Sequence, residues 1–240
     1  NLEKYGYWSN NIFKNVIAEI SQKALHNINN IPLLQHVVSR AKLIEPNIKV
    51  VIATSKNKSD DAIEKLAKDL KVDCFRGDHK NVSKRTIGVI AKYKFNYLIR
   101  ICGDRPLLDP SLYSLALKQL ISNKLDLCTS NYPKILPPGL TVEVFTSDSF
   151  MKIYSKNLND YEKEHITAPY YKNQNGFKVT NIILPKGFYW INPEKTSYTV
   201  DRKEDIKFIE YILKNTKDTL FGFNYLKQLQ ELSMIYSSQQ

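Results

Sequence analysis

The chain has 240 residues, 42% of them hydrophobic and 25% charged, which fits one large soluble globular domain and excludes a disordered or fibrous chain. Its net charge of +11 comes mostly from lysines interleaved with acids, so the excess reads as solvated surface and not as the concentrated stripe of a nucleic-acid binder. No apolar run approaches the roughly 18 residues that span a bilayer, which predicts a chain without membrane insertion.

In chain order, Ile31–Ile44 places Leu33, Leu34, Val37, Val38 and Ala41 on one helical stripe. Lys49–Thr54 is an apolar run of strand length. Ser59–Leu70 reads as a helix, with Asp60 and Asp61 in its first turn where they favour the dipole. Val72–Phe75 is a short strand, Val82–Lys92 a helix, Tyr97–Cys102 a strand, Pro110–Ser122 a helix and Leu125–Ser130 a strand. Apolar strands alternating with amphipathic helices imply a mostly parallel sheet covered on both faces. After Asn131 the rhythm changes. Pro133, Pro137 and Pro138 mark a loop, and Gly139–Phe145 alternates as a strand. Asp148–Lys156 and Tyr161–Lys172 read as helices, Lys178–Leu184 and Ser197–Val200 as strands, and Arg202–Asn215 and Asn224–Tyr236 as helices. The interval 137–198 is expected to leave the main sheet and return.

Three cysteines, Cys74, Cys102 and Cys128, lie in strand-like surroundings without paired spacing, which predicts buried thiols in a reducing cytosol. The chain opens on Asn1 and not on methionine, so sequence is expected upstream of it; no leader pattern is visible before Trp8.

The candidate chemistry gathers at strand ends. Asp104 follows the strand Tyr97–Cys102 through Gly103, and ligands of open parallel sheets bind beyond the carboxyl ends of strands. An acid there can hold Mg²⁺ against phosphates, while a glycine lets backbone approach them closely. Asp109 precedes Pro110 and reads as a helix cap. Asp201 follows the run Tyr198–Val200 and fits either a ligand acid or, with Glu204, a capping box. Among the cations, Lys23, Arg76, Arg85, Arg100 and Arg105 stand out, because only six residues are arginine. Walker A, Gly-x-Ser-x-Gly, Cys-x-x-Cys and His-Glu-x-x-His patterns are absent.

Seven segments, in this order, resemble the spore-coat polysaccharide biosynthesis cytidylyltransferase family, which is related to the acylneuraminate and 3-deoxy-manno-octulosonate cytidylyltransferases. They are Ile31–Val38, Val51–Ser55, Phe75-Arg76-Gly77, Ile99–Pro110, Gly139–Phe145, Glu162–Thr167 and Thr199-Val200-Asp201. The resemblance implies a three-layer Rossmann-like α/β fold with a mostly parallel sheet, helices on both faces and a β-containing insertion. It implies a nucleotidyltransferase-like domain over residues 1–222, whose insertion at 137–198 forms a sugar pocket and a dimer contact, and a C-terminal helix and tail over 223–240. It further implies a cytoplasmic, homodimeric enzyme that transfers CMP from CTP to a sugar or sugar acid for a surface glycan, releasing pyrophosphate with Mg²⁺ as cofactor. No nucleic-acid partner is expected.

Carried onto this sequence, Asp104 and Asp201 are the metal-binding acids, and Lys23 and Arg85 the catalytic cations. Ala53, Thr54, Ser55, Arg76 and Gly103 meet the nucleotide. Asn131, Glu143, Glu164 and His165 meet the acceptor. The stretch Ile17–Leu25 corresponds to the family's phosphate loop, which carries an arginine, a Pro-Gly and a lysine. Lys23 keeps the lysine place, Glu19 stands where the arginine is expected, and Ser21 and Gln22 replace the Pro-Gly. Thr141 replaces an acid usual before Val-Glu-Val. Two other readings stay open. One is a catalytically impaired homologue that binds a nucleotide-sugar or a partner protein. The other is a glycosyltransferase-like domain, against which the missing Asp-x-Asp counts.

Overall fold

The computed structural model describes residues 15–19, 22–172, 176–187, 194, 196–217 and 221–239. The strands are β1 (Asn15–Glu19), β2 (Asn27–Ile28), β3 (Ile31–Pro32), β4 (Lys49–Ser55), β5 (Asp73–Gly77), β6 (Tyr97–Cys102), β7 (Leu127–Thr129), β8 (Glu143–Thr146) and β9 (Val179–Asn181). The helices are α1 (Leu33–Ala41), α2 (Asp61–Asp69), α3 (Val82–Tyr93), α4 (Pro110–Ser122), α5 (Ser147–Tyr154), α6 (Asp160–Glu164), α7 (Ala168–Tyr171), α8 (Lys203–Asn215) and α9 (Phe223–Ser238). A seven-stranded sheet runs in the order β5-β4-β1-β6-β8-β7-β9, and β2 and β3 form a separate ribbon. The β2–β3 turn uses Asn29 and Asn30 at φ 51° and 64°, a left-handed conformation that asparagine tolerates.

Period-two alternation sorts the strand side chains between two cores. Val50, Ile52, Ile99, Ile101 and Val144 pack with α1, α2, α4, α8 and α9. Val51, Ala53, Leu98, Leu127 and Phe145 pack with α3, α5 and α7. The result is the expected three-layer, mostly parallel arrangement. Among the described strands of this sheet only β8 is reversed, pairing antiparallel with both β6 and β7. The interval 137–198, expected to leave the sheet, instead supplies β8 and β9 to it. Helix α9 is part of the first core through Tyr225, Leu226 and Leu229. The three cysteines are free, and burial pushes the thiols of Cys74 and Cys128 up to about 11 and about 12.

Several local expectations shift, each for a visible reason. The strand expected over 139–145 ladders only from Glu143, because Gly139 takes φ +88° and bends the preceding residues away. The segment 197–200 joins no ladder; the Tyr198 N–H donates to Pro138 O and the Val200 N–H to Asp104 O, both at 2.9 Å. The helix expected over 161–172 divides into α6 and α7, since Pro169 has no N–H with which to continue it. Glu19, expected in a phosphate loop, is the last residue of β1, in register with Ala53 and Cys102. Ile20 and Ser21 of the expected loop lie outside the described residues.

The loop from Gly103 to Asp109 is held from behind. Arg40 Nε donates to Leu108 O at 2.6 Å and Tyr225 OH to Leu107 O at 3.0 Å. The Arg40 guanidinium lies 4.2 Å from the Tyr225 ring centroid. Asp109 caps α4 as expected: its Oδ1 accepts from the Ser111 and Leu112 N–H groups at 2.7 and 3.2 Å, and its Oδ2 from the Gly222 N–H at 2.6 Å.

Two stability outcomes follow from these contacts. Asp109→Ala strips the cap and strands buried N–H groups, with an expected loss of about 1–2 kcal/mol in urea unfolding. A Cβ on Gly139 would lie 2.5 Å from the carbonyl carbon and oxygen of Tyr198. Gly139→Ala should therefore cost about 2–4 kcal/mol, and an unchanged unfolding midpoint would refute the close approach of residues 139 and 198.

Candidate active site

A cleft of about 280 Å³ opens at the carboxyl end of β6. Gly103, Asp104 and Asp201 form one wall with Lys23, and Val82 and Arg85 of α3 form another. Glu164 and His165, at the end of α6, close a third side, with Arg100 and Cys102 of β6 between them. Lys23, Arg85, Gly103, Asp104, Glu164, His165 and Asp201 thus line one cleft.

Asp104 and Asp201 meet because the Val200 N–H bonds to Asp104 O, which docks residues 198–201 beside the end of β6. Asp104 Oδ1 is buried without a hydrogen-bond partner, and the Arg105 guanidinium approaches it only to 3.9 Å. Burial pushes the Asp104 carboxyl above its ordinary range; Arg105 pulls it back, and the charge of Asp201 adds to the rise. Asp201 Oδ2 accepts from Thr199 Oγ1 at 2.8 Å. Asp201 does not cap α8. That task falls to Asp205, whose Oδ2 accepts from the Asp201 and Arg202 N–H groups at 2.8 and 2.7 Å. Lys23 Nζ donates to the Asp201 carbonyl at 2.8 Å, so the lysine is fixed beside the two acids. Arg85, in the first turn of α3, donates from Nη1 to Asp78 O at 2.8 Å. The His165 ring packs on Tyr161 with centroids 4.3 Å apart.

Glu143 lies beneath the cleft, with 4% of its side chain exposed. Its Oε2 accepts from Arg100 Nη1 at 2.7 Å. Its Oε1 accepts from Thr167 Oγ1 at 2.7 Å and Tyr171 OH at 2.6 Å, with Asn131 Nδ2 at 3.5 Å. Burial alone would raise this carboxyl, but the Arg100 charge and the Tyr171 and Thr167 hydroxyls outweigh it and hold the group below its ordinary range. The acceptor contact expected of Glu143 and Asn131 is replaced by an internal network in which both oxygens are already engaged.

The nucleotide residues expected on β4 and β5 have other partners. Ala53 is buried in the sheet. The hydroxyls of Thr54 and Ser55 donate to Asp60 Oδ2 at 2.7 and 2.6 Å. Arg76 donates to Ser55 O, Glu64, Asn57 O and Asp61 at 2.5, 2.8, 2.7 and 2.9 Å, clamping the ends of β4 and β5 to α2. None of these four lines the cleft. Conversely, Arg100 does line it, although sequence reading gave it no role beyond being a scarce arginine. Thr167 and Tyr171 escaped notice because a hydroxyl that serves a distant carboxylate leaves no local pattern.

Among the described residues, no helix is long and apolar enough to cross a membrane. The family model described as cytidylyltransferase matches residues 19–240. An uncharacterized protein of Methanocaldococcus jannaschii is 30% identical over 188 residues, 78% of this chain and 75% of its own length. The spore coat polysaccharide biosynthesis protein SpsF of Bacillus subtilis is 30% identical over 165 residues, 67% of this chain and 65% of its own. A solved cytidylyltransferase structure from Leptospira borgpetersenii superposes with TM-score 0.81 at 21% identity, covering 93% of this chain and 94% of that one. With residues 19–240 accounted for by that model, the chain belongs to the cytidylyltransferase family, whose members are nucleotidyltransferases.

Proposed function

We propose that this enzyme transfers CMP from CTP to a sugar or sugar-acid acceptor for a surface glycan, working in the cytoplasm as a homodimer. The observation that carries the proposal is the meeting of Asp104 and Asp201 with Lys23, Arg85 and Arg100 in one cleft at the end of a central parallel strand. The printed name of the Bacillus subtilis relative, a polysaccharide biosynthesis protein, supports the glycan role.

The two acids fit Mg²⁺. Asp104 has a buried carboxylate oxygen without a hydrogen-bond partner, and the charge of Asp201 disfavours its anion further, an arrangement that a hard dication relieves. Among the described residues no cluster of three or more metal-ligating side chains exists, so Asp104 and Asp201 would hold the ion together with substrate phosphates. When bound, Mg²⁺ supplies positive charge against the phosphate oxygens. Lys23 and Arg85 would bind the triphosphate and oppose the charge that spreads onto it during transfer. Gly103 lets the chain approach that group closely, while Glu164 and His165 would meet the acceptor. An acceptor oxygen attacks the α-phosphorus, the bond to the β-phosphate oxygen breaks, and pyrophosphate leaves.

Pyrophosphate release from CTP with Mg²⁺ and a panel of sugars and sugar acids tests the reading. Asp104→Asn should lower turnover by about 100-fold or more and weaken Mn²⁺ binding seen by electron paramagnetic resonance. Lys23→Met should raise KM for CTP by about tenfold, in line with the loss of one charge-assisted contact. Absence of turnover with any nucleoside triphosphate, together with no CTP binding by calorimetry, would sink the proposal. CTP binding without turnover would instead establish the impaired homologue that the altered phosphate loop raises.

A further inference from the structure

We infer that Ser83 is a positioning residue for the acceptor, its hydroxyl holding the cleft wall that carries Glu164 and His165 against the wall that carries Arg85; the inference rests on the cleft being the nucleotidyl-transfer site. Of the five residues of α6 only Glu162 is buried, and it is not apolar. Leu158 before the helix and Ile166 after it reach the second core. Between those two anchors, hydrophobic burial contributes little to where α6 lies. Its place against α3, the helix it packs on, therefore depends on polar contacts.

Glu162 is the centre of those contacts. Its carboxylate accepts from the Asn159 N–H at 3.1 Å and from Lys172 Nζ, which ties the start of α6 to the residue after α7. Both bonds stay inside the segment 159–172 and say nothing of its distance from α3. The Glu162 carbonyl is different. It is among the last four of its helix, which have no intrahelical donor, and it accepts from Ser83 Oγ at 3.1 Å. Ser83 lies in the first turn of α3 and is fully buried. Val82 and Arg85, on either side of it, line one wall of the cleft. Glu164 and His165, two and three residues past Glu162, line another. The bond thus lies directly behind both walls and sets their separation. Without the hydroxyl, the Glu162 carbonyl loses this donor and α6 is held at its ends. Helix α3 keeps anchors of its own: Asn81 Oδ1 accepts from the Lys84 N–H at 2.7 Å, and Arg85 Nη1 donates to Asp78 O at 2.8 Å. The displacement therefore falls on Glu164 and His165, on the acceptor side, and not on Arg85.

Amide hydrogen exchange and steady-state kinetics on the whole chain test the assignment. In Ser83→Ala the amides of residues 159–165 should exchange about fivefold faster or more, while those of α8 stay within about twofold. KM for the acceptor, 3-deoxy-manno-octulosonate or whichever panel member is turned over fastest, should rise by about fivefold or more, with KM for CTP within about twofold. Ser83→Thr keeps the hydroxyl and should bring both readouts back toward the unsubstituted chain. Ser83→Cys keeps the volume with only a weak donor and should match Ser83→Ala, so that the loss follows the hydrogen bond and not a void. Unchanged exchange over 159–165 overturns the inference, and so does an unchanged acceptor KM. Faster exchange throughout the chain, or an equal rise in both KM values, makes Ser83 a general structural residue and overturns it as well. An unsubstituted chain that turns over no nucleoside triphosphate sinks the transfer reading, and exchange alone then decides whether Ser83 holds α6.

Discussion

The arrangement of the cleft floor depends on keeping one carboxylate, Glu143, charged inside the protein. Burying a carboxylate costs several kcal/mol unless it is paired and hydrogen-bonded, and leaving it without its partner is of similar cost. The donors that offset this cost come from separate parts of the chain: Arg100 from β6, Thr167 and Tyr171 from the α7 region, and more distantly Asn131 from the loop after β7. Each of those segments must be in place for the carboxylate to be satisfied, so one side chain ties their positions together. The reversed direction of β8 makes this possible. Because β8 runs against β6 and β7, its first residue lies at their carboxyl ends, with Glu143 opposite Thr129 and Val144 opposite Ile99. A parallel strand in that place would bring its last residue to the functional edge.

The two faces of the sheet then divide the work. On one, α1 and α9 hold the loop that follows β6 through Arg40 and Tyr225, and Asp109 joins the start of α4 to Gly222. These contacts reach the loop from the side away from the cleft. They fix where Asp104 sits without occupying its carboxylate. On the other face the cover is incomplete. Pro169 interrupts the helical stretch after α6, which leaves His165 at the cleft wall and turns the Thr167 hydroxyl down onto Glu143. A site supported by packed elements behind and left open in front is pre-organised for a ligand.

Most of this scaffold was legible from residue order alone. The apolar runs at β4 and β6, the helical stripes of α1 and α4, and the Asp-Pro start of α4 are local signals, and local signals survive translation into structure. The cleft's acids and cations were legible only as types at strand ends, together with the family pattern. Three things were not. Arg76 looks like a phosphate cation from its place near the end of β5, but Asp61 and Glu64 of α2 claim it. Asp201 looks like a cap because Glu204 lies three residues on, yet the helix starts one residue later and Asp205 caps it. Glu143 is an acceptor residue by resemblance to the family; that it is covered depends on Arg100, Thr167 and Tyr171, between 24 and 43 residues away.

Charge balance constrains how a triphosphate enters this cleft. A loop that grips phosphate through backbone N–H groups relies on glycine for close approach, and residues 20–25 contain none. The strand position of Glu19 shortens that loop further. Cations must then come from side chains on separate elements: Lys23 anchored to the Asp201 carbonyl, Arg85 on α3 and Arg100 on β6. Against these three stand the carboxylates of Asp104, Asp201 and Glu164 in the lining and of Glu143 paired with Arg100 beneath it, so the described side chains carry no net positive charge. A unit charge at 4 Å contributes about 1 kcal/mol in bulk water and about 4 kcal/mol near a protein surface. A neutral lining therefore leaves a triphosphate largely uncompensated. The proposed dication would remove the deficit from the side of the two aspartates, where Asp104 Oδ1 has no hydrogen-bond partner. Its presence would convert the repulsive pair into the most attractive part of the cleft, and Lys23, held at the Asp201 carbonyl, would meet the same phosphates from beside it.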